Sequence, residues 1–161
     1  MPWGPFIVEW AHILLGIFWF GSALYANLIL GPAIMRLSPG TRREVVGATF
    51  GTASRIFMWV GYLTVTAGFL RGTIFGRIQS VDVLLGTRYG IVWLIAFAVG
   101  VFLALWSHLV LARDARKMLA MPQPAAASGP AVAARPSPTN RIVEMVGFFV
   151  LFTLMIVLKF S

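Results

Sequence analysis

The chain has 161 residues, of which 59% are hydrophobic and 11% charged; its mean hydropathy is +0.87 and its formal net charge +8. A soluble domain carries roughly a quarter charged residues, so this composition excludes an ordinary soluble enzyme. Cysteine is absent, which removes disulfides, iron–sulfur clusters and thiolate metal sites.

Four apolar runs have the length of a membrane-crossing helix, for which about 20 residues suffice. The first covers about 6–34 and takes in most of a run of 26 residues free of formal charge between Glu9 and Arg36. No Lys or Arg precedes it, and it is far longer than the apolar stretch of a cleaved secretory signal, so it reads as a true span. His12, Gly16, Trp19, Ala23 and Asn27 share one face of this helix. The turn Ser38-Pro39-Gly40 follows, and Thr41 and Glu44 have the spacing of a capping box. The second span covers about 45–70. If its helix begins at the box, it is about 43 Å long, exceeds the bilayer core, and brings Arg55 near the inner boundary. Between Arg71 and Arg88, residues 78–85 read as a short helix lying on the membrane surface. The third span, about 89–111, carries Ala96, Gly100, Ala104 and His108 at every fourth position. Small residues at this spacing let helices approach closely in lipid. A Pro/Ala-rich stretch over 119–139 reads as a flexible linker. The fourth span, 142–158, has 17 residues with Glu144 near its start. The expected fold is all-α: one transmembrane domain over 1–161, an integral membrane four-helix bundle with a short interfacial helix between helices 2 and 3.

In such a chain the positive charge reports orientation rather than nucleic-acid binding. Arg36, Arg42, Arg43, Arg113, Arg116, Lys117, Arg135 and Arg141 fall on one side, against Arg71, Arg77, Arg88 and Lys159 on the other. This asymmetry places both termini outside and the more basic loops in the cytoplasm.

An ionisable residue inside a span is either a packed polar group or a functional one, and the two histidines frame that choice. His12 lies about 9 Å from the outer edge of its helix and His108 about 5 Å from the inner edge of its own. In a core of about 30 Å they stand about 17 Å apart in depth and cannot share one iron. Each could bind a metal or a b-type haem separately, alone or opposite a methionine: Met58 and Met145 lie at the depth of His108, Met155 at that of His12. Arg55, in the inner half, could pair with a haem propionate. Glu9 precedes His12 by three residues, so a proton-relaying Glu–His pair is a further option. Copper(I) favours thiolate and thioether ligands; without cysteine, and with seven scattered methionines, the sequence argues against a dedicated copper path. The small-residue faces suit contact with a second copy or with other membrane subunits as well as packing within the bundle.

The stretch from Trp10 through His12, Trp19 and Gly21, continuing to Leu30-Gly31-Pro32-Ala33, resembles the first helix of a group of small bacterial membrane proteins. The group includes the CopD copper-resistance family, the membrane part of cytochrome-linked urate oxidases and the HemJ-type protoporphyrinogen oxidases. Leu63-Thr64-Val65-Thr66-Ala67-Gly68 and Tyr89-Gly90 are similar to the same group. The resemblance implies a bacterial cytoplasmic membrane protein, and its HemJ-type branch implies a haem-ligand role for His12. The expected function is therefore a b-haem-binding or redox-associated, electron-transport module. The alternatives are a non-catalytic accessory subunit of a larger respiratory or photosynthetic complex, and a copper-handling protein.

Overall fold

The computed structural model describes residues 3–111 and 138–161, together with Arg113, Arg116, Lys117 and Ala120. Helix α1 spans Trp3–Met35, with a π-turn at Ala26–Leu30. Helix α2 covers Pro39–Gly72 and the short α3 covers Val81–Gly86. Helix α4 runs Arg88–Trp106 and continues as a π-turn over Ser107–Leu111, and α5 covers Pro138–Lys159. Helices α1, α2, α4 and α5 are each long and apolar enough to cross a membrane, so the chain has the architecture of a multi-pass membrane protein. Most of the expected linker, residues 121–137, lies outside the described residues.

Several helix ends differ from expectation for local reasons. The N-cap of α2 is Ser38, not Thr41: the Ser38 hydroxyl accepts from the Thr41 backbone N–H at 3.3 Å, with Pro39 as the first helical residue. Proline suits that position because its missing N–H would have no partner there. The short helix begins at Val81, later than expected, because Ser80 caps it through the Val83 N–H at 3.2 Å. The last span is longer than its apolar run: α5 has 22 residues and starts before Arg141.

Around the bundle, α1 packs on α2, α2 on α4 and α4 on α5, while α1 and α5 meet along a sparser seam. Glu9 on α1 pairs with Arg71 at the end of α2, and Arg77 donates to the carbonyl of Ser161 at 3.3 Å. Both chain ends and α3 therefore gather at one end of the bundle. The Glu9–Arg71 pair leaves both side chains more than 40% exposed, where an ion pair contributes about 0–1 kcal/mol. Glu9→Gln is expected to lower stability by less than about 1 kcal/mol, with the difference shrinking in high salt, as read by thermal unfolding in detergent. A larger, salt-insensitive loss would show that the pair holds α1 to α2.

The interior is built for close approach. Trp19, Leu103 and Phe148 are the large side chains of one buried cluster, packed with Ala23 and Ala104. Trp19 meets Phe148 edge-on at 4.9 Å between ring centroids. Small residues make the room: a Cβ added at Gly147 would stand 2.6 Å from Leu103 Cδ2, and one at Gly61 would stand 3.2 Å from the Trp19 ring. Ala96, Gly100 and Ala104 are buried. Large apolar residues such as Ile17, Trp59 and Ile95 face outward. Lipid exerts no hydrophobic drive between helices, so packing rests on van der Waals contact across small side chains.

Candidate functional site

Two ionisable side chains, His12 and Glu144, are hydrogen-bonded between helices toward opposite ends of the bundle. At the end carrying the termini, His12 Nδ1 lies 2.9 Å from the backbone oxygen of Thr64 on α2. A carbonyl only accepts, so Nδ1 carries the proton, and the neutral ring keeps its lone pair on Nε2. Nε2 makes no hydrogen bond among the described residues. The ring fits there because residue 68 is glycine: a Cβ at Gly68 would stand 2.8 Å from His12 Cε1. The optional Glu9–His12 pair is not made: Arg71 takes the Glu9 carboxylate and Thr64 takes the imidazole.

His12 lines a half-open cavity to which all four long helices contribute, including Trp19, Gly68, Trp93, Gly100 and Met155. Arg71 borders it as well. The cavity measures about 50 Å³. That volume suits a few waters and is well below the roughly 300–1,000 Å³ of a small-molecule site.

The other candidates are distributed unevenly. Met155 lines the cavity with His12, whereas His108, Met58, Met145 and Arg55 do not. The His108 ring lies 6.3 Å from that of Tyr62. That contact falls at a different level of α2 from Thr64 and Gly68, because helical side chains lean toward the N-terminus. Met58 and Met145 are half-buried and Arg55 is exposed. Among the described residues, no group of three His, Cys, Asp or Glu side chains is placed to hold a metal ion.

For haem, the donor chemistry at His12 fits: an imidazole oriented through Nδ1 by a backbone carbonyl, with a thioether on another helix lining the same space. A cavity of about 50 Å³ does not hold a porphyrin, so a macrocycle requires the lining helices to part.

The second group, Glu144, lies near the start of the last span. Glu144 is 5% exposed. Its Oε2 accepts from Asn27 Nδ2 on α1 at 2.9 Å, and its Oε1 accepts from Ser107 Oγ on α4 at 3.2 Å. Asn27 lies within the α1 π-turn and Ser107 opens that of α4. The available signal was the carboxylate itself, since an acidic residue within a span marks function by default.

Comparison with protein-family models, curated proteins and solved structures finds no match to this chain.

Proposed function

We propose that this protein is a b-haem-binding, redox-associated module of the bacterial cytoplasmic membrane, related to the CopD and HemJ-type group, with His12 as an axial ligand. The observation that supports this reading best is the state of the His12 ring. Thr64 engages Nδ1 and leaves the Nε2 lone pair unclaimed in a cavity that Met155 also lines. Arg71, rather than Arg55, is the arginine beside that space and the candidate partner for a propionate. Haem bound there would supply one-electron redox chemistry. The charge asymmetry orients the chain with its termini outside and its more basic end in the cytoplasm.

The alternative is an accessory subunit in which His12 is a packed polar group; the small volume of the cavity favours it. The visible spectrum of protein purified from haem-sufficient cells separates the two. A Soret band lost in His12→Ala and kept in His108→Ala is the expected result. A colourless protein with full helical circular dichroism and a cooperative unfolding transition overturns the haem reading and leaves the subunit. Copper in elemental analysis of that colourless protein would point to metal handling instead.

A further inference from the structure

The Glu144 cluster shares no lining residue with the His12 cavity, so its role is separable from whatever His12 binds. We propose that Glu144, Asn27 and Ser107 form an intramembrane site for an exchangeable monovalent cation, a proton or an alkali ion. A carboxylate withdrawn from water needs a neutralising charge, and hydrogen bonds from neutral groups do not supply one. Both partners of Glu144 are neutral, an amide and a hydroxyl.

An arginine lies near enough to act on Glu144 electrostatically without contacting it. Arg141, one turn earlier on α5, makes no ion pair with Glu144. Its guanidinium lies over Gly31 of α1, where an added Cβ would stand 3.1 and 3.3 Å from its two terminal nitrogens. Other titratable groups near the cluster in sequence or packing are His108, next in sequence to Ser107, Tyr62 of α2, which packs on His108, and the exposed Tyr25 of α1, two residues before Asn27.

Oxygen atoms dominate the cluster. Asn27 Nδ2 is shared between Ala23 O, at 2.9 Å, and Glu144, while its Oδ1 makes no hydrogen bond among the described residues. The flanking π-turns shift the backbone hydrogen-bond register on two of the three contributing helices, a distortion frequent at functional sites. An all-oxygen set of this kind suits a hard monovalent cation and offers nothing to a soft metal.

Dicyclohexylcarbodiimide tests the site, because it enters from lipid and reacts only with the protonated acid. A carboxyl oxygen bonds the central carbon as one C=N π bond opens, and the acid proton passes to that nitrogen. The O-acylisourea then rearranges to a stable N-acylurea, and nothing leaves. The full chain is treated in vesicles in choline chloride across mildly acidic to mildly alkaline pH, and the Glu144 peptide is read by mass spectrometry. Labelling of Glu144 several-fold higher at the acid end, and absent in Glu144→Gln, is the expected result. Suppression of labelling by sodium or lithium chloride identifies an alkali ion; indifference to both identifies the proton. An unlabelled Glu144 at every pH, with labelling appearing in Arg141→Gln, would show a carboxylate held by arginine and overturn the proposal. No labelling in either protein overturns it equally, provided a water-soluble carbodiimide modifies the exposed Glu9 in the same preparation.

Discussion

Trp19→Ala is expected to lower the stability of the bundle by about 3 kcal/mol, the low end of the about 3–5 kcal/mol range for removing a buried tryptophan. Part of that range reflects transfer of the side chain out of water, which is missing when unfolded helices remain in lipid. What remains is packing. Trp19 is 4% exposed, meets Phe148 edge-on and fits against Gly61. Rigid interiors relax only partly into such a hole. Titration with a denaturing detergent, followed by helical circular dichroism, measures the loss. Phe18→Ala, at an outward position on the same helix, is the control, and equal losses in the two variants would sink the assignment of this core.

Overfilling the interior is expected to cost about as much. Gly72 faces the indole of Trp93 so closely that an added Cβ would overlap its Nε1. Trp93 cannot withdraw easily, because its ring stacks on Phe97 with only 2° between the planes and is 9% exposed. Overpacking costs about 1–3 kcal/mol, and Gly72→Ala is placed at the upper end because the obstacle is a locked ring. The same substitution should distort the His12 cavity, which Trp93 lines, and so weaken any chromophore bound there. In the double variant Gly72→Ala, Trp93→Leu the loss should be less than the sum of the two single losses, since the two changes relieve one clash. Strict additivity would mean that the glycine and the tryptophan do not press on each other.

The spans were legible because a membrane helix is a property of one contiguous segment. Its apolar length can be counted without knowing its neighbours. The same holds for the buried face of α4, where Ala96, Gly100 and Ala104 recur at the helical repeat, and for the face of α1 bearing His12, Trp19, Ala23 and Asn27. Helix ends were less legible, because more than one capping residue was available within a few positions. Ser38 prevailed over Thr41 because Pro39 belongs in the first turn.

The partners of the polar groups were not legible at all. Glu9 lies one helical turn from His12 in sequence, yet it binds Arg71, 62 residues away, while His12 turns to the Thr64 carbonyl 52 residues away. Glu144 is a larger instance: a lone acid in the last span is hydrogen-bonded by Asn27 and Ser107, 117 and 37 residues distant.

By itself, then, the sequence determined that this is an all-helical protein with four helices able to cross a membrane, and which of their faces are narrow enough to pack. Only the tertiary structure decided which donor meets which acceptor: that Thr64 leaves one nitrogen of His12 open, that Met155 borders the same cavity, and that Glu144 is enclosed between two π-turns. Burial of apolar surface follows from composition along one segment, whereas a hydrogen bond across a bundle depends on the rotation and register of two helices at once.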